Sequence, residues 1–261
     1  MMRVAIAGVG VVGPGLLGWA LALPVLAGVR PYEPAPLPKL VPACMPSRER
    51  RRATGSIALA ISAAEEAVGD RDGAGDIPAV FASSGGDTEV IDSICNALLQ
   101  PGRPVSPWQF HNSVHNAPAG YWSIAMGGQA PTTSLSAYDA SFAAGLLEAA
   151  GLLHEGAREV LLVAYDVLAP PAIYPFRPLE APFALALLLA TERTNGQPVW
   201  QIALTSDQRQ DRLEDSKLER LRVGNPAARA LPLLRLLALG RAGRAVVPYL
   251  LGQQLLVEHM P

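Results

Sequence analysis

Hydrophobic residues in this chain occur in short unbroken runs that are separated by turns rich in glycine and proline. Runs of this kind are typical of strands that are buried on both faces. They occur at residues 3–7, 78–83, 132–136, 159–165, 181–190 and 199–205. Small and apolar residues at helical spacing predict helices over 48–68, 87–99, 140–152 and 226–239. Residues 245–258 predict a closing hairpin that turns near Gly252. The alternation of strands and helices indicates an α/β fold, with residues 3–7 as a parallel strand.

A glycine-rich stretch, Gly8–Gly13, follows the first predicted strand and has the spacing GxGxxG. A dinucleotide site also needs an uninterrupted helix at the third glycine and an acidic residue that ends the second strand. Here Pro14 and Gly15 follow directly, and Glu33 lies in a proline-rich loop. An NAD(P)-binding oxidoreductase is therefore kept only as an alternative.

Residues 129–152 predict a short buried strand, a tight turn and an apolar helix, with Asp139 at the junction. An acid at this place is stabilised by free backbone N–H groups and by the helix dipole, which predicts that Asp139 is the N-cap. A covalent role for the Asp139 carboxylate is the other interpretation.

Composition narrows the possible functions. The chain has 261 residues, half of them apolar, so it can bury the core of one large domain. Its formal net charge is −2, so the chain has no overall positive electrostatic field that would attract nucleic acid or anionic lipid. Cys44 and Cys95 are isolated, which argues against a disulfide framework or a metal site and fits a reducing cytoplasm. We expect no cofactor.

The uncharged run over residues 4–29 could be taken for a membrane anchor. It contains six glycines and two prolines, which would make a poor membrane-spanning helix but a good strand, turn and helix. We therefore expect no membrane insertion.

Charged and nucleophilic residues offer few catalytic candidates. No GxSxG pentapeptide occurs, which disfavours a serine hydrolase. The histidines lie outside any catalytic motif, and we expect surface or interface positions for all of them: His111, His115, His154 and His259. A run of cations at the start of the 48–68 helix is either a solvated first turn or a docking patch for an acidic partner: Arg48, Arg50, Arg51 and Arg52. The most charged tract, 207–222, predicts a surface helix or loop.

Three segments resemble the β-ketoacyl synthase family. Pro131, the strand after it and the turn that follows resemble the family's nucleophile elbow, and Asp139 stands at the position of the reactive cysteine. Gly8, Gly10 and Pro14 match the family's opening G-x-G-x-x-x-P turn. The segment 105–126 matches the family's pattern at Ser106, Pro107, Trp108, His115, Asn116, Ala119 and Gly120.

The resemblance implies a thiolase-like α/β fold with α-β-α-β-α layers in a single domain over 1–261. It implies one full half over 1–170 and a reduced, truncated second half over 171–261, because the family's glycine-rich gate is absent after Arg177 and Pro178. It also implies that the strand over 159–165 pairs beside the nucleophile strand.

Without a cysteine at position 139 and without the family's histidine motifs, the chain resembles the chain-length factors, also called ketosynthase β subunits, in a short form. This resemblance implies a non-catalytic partner that forms a heterodimer with an active ketosynthase, uses an acyl carrier protein, and shapes the acyl tunnel in polyketide or fatty-acid-type biosynthesis, including aryl polyene pathways. The residues implied at the tunnel and interface are Trp108, Gln109, Phe110, His111, His115 and Asn116, and the segment Ser106–Met126 is implied to lie at the heterodimer interface. For the arginine run, the resemblance implies that the acidic docking partner is the acyl carrier protein. A free-standing acyltransferase is a further alternative.

Overall fold

The computed structural model describes residues 1–191, 196–207, 209 and 211–261. Within them, the strands are β1 (Met2–Gly13), β2 (Leu16–Leu17), β3 (Ala79–Ala82), β4 (Thr132–Leu135), β5 (Glu159–Asp166), β6 (Phe183–Ala190), β7 (Val199–Thr205), β8 (Gly243–Leu250) and β9 (Gln253–Met260). The α-helices are α1 (Trp19–Leu26), α2 (Ser47–Arg50), α3 (Gly55–Val68), α4 (Thr88–Leu98), α5 (Pro107–Asn112), α6 (Ala117–Met126), α7 (Ser141–His154), α8 (Ser216–Gly224) and α9 (Leu231–Leu239).

The strands form one mixed sheet in the order β4-β3-β5-β6-β1-β7-β9-β8, and β2 pairs with the end of β1. β3 is parallel to both β4 and β5, whereas β6 is antiparallel to β5 and β1. The predicted pairing of 159–165 beside the nucleophile strand is therefore wrong, because β3 lies between β5 and β4. Residues on both sides of position 170 contribute to the same sheet, and the proposed division there stays a prediction.

Helices cover both faces of the sheet because its strands are apolar on both faces. Alternate residues of β3, β5 and β6 pack in one core cluster with α3 and in another with α7. The far part of the sheet curves back so that β8 also contacts α7. The layers therefore begin with α3, followed by the sheet, then α7, and finally the part of the sheet that contains β8. This order places α7 between two β layers.

The glycine-rich stretch belongs to β1 and is not a turn. β1 pairs antiparallel with β6 and β7, so the predicted parallel strand is wrong in direction and too short. A Cβ at Gly8 would lie 1.9 Å from the Ala67 carbonyl oxygen, and one at Gly10 would lie 2.0 Å from that of Ala63. These glycines let α3 pack directly on β1 and leave no phosphate-binding loop, so the dinucleotide interpretation of the motif is wrong.

The predicted helix over 48–68 is two helices. Thr54 begins α3, where its side-chain oxygen accepts a hydrogen bond from the Ile57 amide at 3.4 Å. The arginine run instead occupies α2 and the short turn after it. The apolar periodicity continues across the break between α2 and α3 and therefore did not indicate it. The local signal for the break is an N-cap threonine that is followed by Gly55.

Other predicted elements are confirmed. Asp87 caps α4 by accepting a hydrogen bond from the Val90 amide at 3.1 Å. β8 and β9 form the closing hairpin, and Gly252 has a φ of +80° at its turn. The charged tract contains a loop followed by α8, with Gln208 and Gln210 outside the described residues; Leu218, Leu221 and Arg222 of α8 are buried. None of the described helices combines the length and apolar character needed to cross a membrane.

Candidate functional site

The candidate site lies where the carboxyl ends of three strands meet. β4, β3 and β5 run parallel, so the segments that follow them emerge at one edge of the sheet. Asp139 and Ser84 lie in the segments after β4 and β3, and Asp166 is the last residue of β5. Contrary to the prediction, β4 is not fully buried, because it is the last strand at this side of the sheet.

The turn between β4 and α7 has an unusual backbone. Tyr138 has a φ of +53°, a left-handed conformation that costs a non-glycine residue about 1 kcal/mol or more. Ser141 stabilises this turn, because its hydroxyl donates to the Tyr138 carbonyl at 2.7 Å and accepts from the Ala137 amide at 3.0 Å. Ser141 is buried, so both of these hydrogen bonds are shielded from solvent.

Asp139 lies inside this turn, in a 3-10 helix, and does not cap α7. Its carboxylate forms an ion pair with Arg177, with Oδ1 2.7 Å from Nη1, and lies 3.9 Å from Nη2 of Arg229. The Arg177 guanidinium also stacks 3.9 Å above the Tyr138 ring. The predicted N-cap role is therefore wrong, because two arginines, distant in sequence, provide stronger partners than the free N–H groups of the helix start.

The two arginines are much less exposed than the acid they hold. Their side chains are 16% and 14% exposed, whereas that of Asp139 is 47% exposed. Burial lowers the pKa of Arg229, and the Asp139 charge opposes this shift. A carboxylate paired in this way is a weak nucleophile, which disfavours the covalent role.

Asp166, at the end of β5, is a site residue that the sequence reasoning missed. Its Oδ1 accepts hydrogen bonds from the Ser83 hydroxyl at 3.1 Å, the Ser84 amide at 2.8 Å and the Ser84 hydroxyl at 2.7 Å. Its Oδ2 is buried without a hydrogen-bond partner in the described part of the chain. Burial raises the Asp166 pKa to about 6, against the lowering effect of these bonds and of Arg177. The signal in the sequence that could have identified Asp166 is an acidic residue directly at the end of an apolar strand.

Helix α5, which carries most of the residues predicted at the tunnel, is largely exposed. Ser106 caps α5 in a capping box with Gln109, whose amide also donates to the Ser93 hydroxyl at 2.6 Å. The side chains of Trp108 and Phe110 are 44% and 70% exposed. His111, also exposed, lies edge-on to Trp108 with 5.9 Å between ring centroids.

Two further residues predicted at the tunnel lie toward α6. The His115 Nε2 lies 3.2 Å from the Ser83 carbonyl oxygen, which brings this ring against the turn that holds Asp166. Asn116 is exposed at the start of α6 and makes no side-chain cap. The structure therefore connects His115, but not Asn116, to the buried acid.

The arginine run divides into two pairs. Arg48 and Arg51 are exposed, whereas Arg50 and Arg52 are half-buried. The Arg52 guanidinium lies 3.5 Å above the Trp108 ring and 3.6 Å from a Glu49 carboxylate oxygen. Arg52 therefore supports α5, and Arg48 and Arg51 are the exposed members of the run; its role in docking stays a prediction.

His259 is buried, so its predicted surface position is wrong. Its Nδ1 accepts a hydrogen bond from the Trp200 indole at 3.1 Å, and burial lowers its pKa. His154 is exposed near the end of α7, as expected. The sequence reasoning missed this core position because β9 shows no regular alternation of apolar and polar residues, so nothing indicated that His259 shares the buried face of Leu255 and Val257.

Neither cysteine lies in the turn that carries Asp139. Cys44 lies in a loop where burial raises its pKa to about 12, and Cys95 is exposed on α4. In the described ranges, no three His, Cys, Asp or Glu side chains are grouped closely enough to hold a metal ion.

Solved structures resemble this chain over nearly its whole length. They include the ketosynthase ApeO in complex with its chain length factor ApeC from Xenorhabdus doucetiae, with 22% identity, a TM-score of 0.76 and coverage of 99% of this chain and 100% of that chain. The ishigamide ketosynthase/chain length factor has 14% identity, a TM-score of 0.73 and 99% coverage of each chain.

A third similar structure is AntDE:AntF, a type II PKS acyl-carrier protein in complex with its ketosynthase bound to the hexaketide. It has 14% identity, a TM-score of 0.74 and 99% coverage of each chain. At these identities the similarity shows the thiolase-like fold. No curated protein sequence matches the chain. The family model described as the N-terminal domain of beta-ketoacyl synthase matches residues 29–240, which is most of the sequence. With its fold and most of its length in agreement, the chain is a member of the β-ketoacyl synthase family.

Proposed function

We propose that this chain is a non-condensing subunit that pairs with an active ketosynthase, in the manner of a chain-length factor. The observation that carries the proposal is Asp139, which occupies the nucleophile turn and is held there by Arg177. Condensation of thioesters needs a thiolate at this turn, and a paired carboxylate does not replace it.

An exposed apolar surface supports a partner subunit. Four side chains of the segment 106–126 are each 44% or more exposed: Trp108, Phe110, Val114 and Ile124. We call these four residues the apolar surface. The strand β4 lies on the same side of the sheet as α6, and its outer edge has no partner among the described strands. Exposed apolar side chains and an open strand edge are typical of interfaces that a partner covers.

The similar structures support the same partner class. Two of them are complexes or pairs of a ketosynthase with a chain length factor, and the third contains an acyl-carrier protein. For this chain we therefore propose a ketosynthase heterodimer that works with an acyl carrier protein in the cytoplasm. Its product class would be polyketide or fatty-acid-type, and aryl polyene is the candidate that the short length favours.

The first test measures condensation of acyl and malonyl thioesters carried on acyl carrier protein. We expect no product from this chain alone and product from the complex with a ketosynthase. Asp139→Cys alone should also remain inactive, because a thiol beside Arg177 and Arg229 still lacks the imidazoles that condensation uses. Asp72→Cys, which places a thiol at an exposed position, is the control for non-specific acylation.

Product from the purified chain alone, above a boiled control, would overturn the proposal. Stable acylation of the wild-type chain by an acyl carrier protein would favour the acyltransferase alternative instead. Replacing the cysteine of the ketosynthase by alanine should abolish activity of the complex, which assigns the chemistry to the partner.

A further inference from the structure

A second site is suggested by a cleft of about 1090 Å³ between β7, the loop after it, α8 and the closing hairpin. Five arginines and three acids line it among the described residues, which leaves an excess of two positive charges. The whole chain has a net charge of −2, so this excess is a local feature. We call this region the arginine cleft, defined by Arg212, Arg222, Arg229 and Arg244 together with Asp211 and Glu219.

The acids of the arginine cleft are already occupied. Glu219 binds Arg222 through two hydrogen bonds of 2.7 Å, and Asp211 accepts a 2.6 Å hydrogen bond from the Val246 amide. The third lining acid, Asp207, is paired with Arg209 at 2.7 Å. Arg212 and Arg244 form no salt bridge with the acidic side chains that the structure describes, so the excess charge belongs to available guanidinium groups.

The arginine side chains at the inner end of the cleft are held by contacts within this chain. The Arg229 side chain is 14% exposed and donates to the Val223 carbonyl at 3.1 Å, while its Nε is buried without a partner among the described residues. The Arg222 side chain is only 4% exposed. Guanidinium groups that are fixed in this way bind planar or tetrahedral anions with little loss of conformational entropy.

We propose that the arginine cleft binds a small phosphorylated anion, with Arg212 and Arg244 at its mouth and Arg229 at its inner end. The volume of the cleft is slightly above the range of about 300–1,000 Å³ that is common for small-molecule sites, so it has room for such an anion. An excess of two positive charges complements a phosphate monoester or a diphosphate. The inference is independent of the proposed ketosynthase partner, because all the groups belong to this chain.

Titration calorimetry with inorganic pyrophosphate tests this site, on the chain alone and on its complex with a ketosynthase. We expect saturable binding that weakens at least tenfold in the double variant Arg212→Gln/Arg244→Gln. Both side chains are exposed, so the variant should fold. The control is Arg220→Gln on α8, because Arg220 is 67% exposed and pairs with Glu180 outside the cleft. Arg244→Lys, which keeps the charge, should retain most of the binding.

Three results would overturn the inference. One is the absence of saturable binding up to millimolar pyrophosphate, and another is equal binding by the wild-type chain and the double variant. The third is binding by the isolated chain that disappears in the ketosynthase complex, which would assign the cleft to acidic groups of the partner protein.

Discussion

Asp166 shows how one buried carboxyl group can make stability depend on pH. It is 2% exposed, and all three of its hydrogen bonds reach the same oxygen, Oδ1. The charged or titratable groups that interact with it electrostatically are Arg177 and Tyr165. The folded state therefore prefers the protonated form more strongly than the unfolded chain does.

We predict that the stability contributed by Asp166 is lost as the pH rises. Its pKa is raised from 3.8 to about 6, so folding takes up a proton between these values. The full stabilising contribution of Asp166 is present below about pH 4, and it is lost as the pH rises past about 6. A difference of about two pKa units corresponds to about 3 kcal/mol as an upper limit.

Thermal unfolding of the wild-type protein and Asp166→Asn, at pH 4.5, 6 and 7.5, measures this effect. The asparagine can still accept the bonds from Ser83 and Ser84 but does not titrate. We expect the wild type to gain stability relative to the variant as the pH falls. Because other carboxylates titrate equally in both proteins, a pH-independent difference between them would refute the role of Asp166.

At this scale, the sequence indicated where the site lies but not what its residues contact. The turn around Asp139 was predictable because β-branched and small residues precede an apolar helix. The partners Arg177 and Arg229 were not, because they lie 38 and 90 positions further along the chain and their contact depends on the tertiary fold. Local propensity therefore predicted an N-cap where an ion pair forms.

At the scale of elements, α5 presents two aromatic side chains with different surroundings. Trp108 is covered on one face by the Arg52 guanidinium, whereas Phe110 is 70% exposed. Neither is an ordinary core residue. If α5 extends toward the acyl tunnel of a ketosynthase, Phe110 is the side chain free to enter it.

We predict that Phe110→Ala, co-expressed with a ketosynthase, shifts the product distribution toward longer chains by at least one two-carbon unit. Removing an exposed ring leaves little cavity in this chain, so complex formation should be retained. Trp108→Ala should give a similar shift with a lower yield, because it also removes the stacking with Arg52. Mass spectrometry of the products, with the amount of intact complex measured in parallel, separates the two effects. An unchanged length distribution from a normally assembled complex would exclude α5 as the determinant of length.

Most elements were predictable because apolar runs and caps are local signals, as at β6 and at Asp87 before α4. β1 was mistaken because glycine usually marks a turn, whereas Gly8 and Gly10 here accommodate the α3 backbone. The direction and neighbours of a strand depend on pairing over long distances, and a run that is apolar on both faces gives no information about them.

At the scale of the whole molecule, the apolar surface predicts association with a partner. We expect Ile124→Glu to weaken the complex with the ketosynthase at least tenfold and to raise the solubility of the isolated chain, because a charge would be buried at the interface. The control is Leu251→Glu at the tip of the β8–β9 hairpin, where the side chain is fully exposed. Co-purification and native mass spectrometry measure the complex. Equal complex formation by both variants would contradict this placement of the interface.

The position of β1 also bears on how the protein is made. β1 ends at Gly13, yet its neighbours β6 and β7 begin only at Phe183 and Val199. At about 5–20 residues per second, a ribosome needs roughly 10–35 s to supply the first of them. During that interval an apolar segment of twelve residues has neither of its long sheet partners. Translation speed and chaperone binding to the nascent β1 segment are therefore expected to influence how much of the chain reaches its native fold.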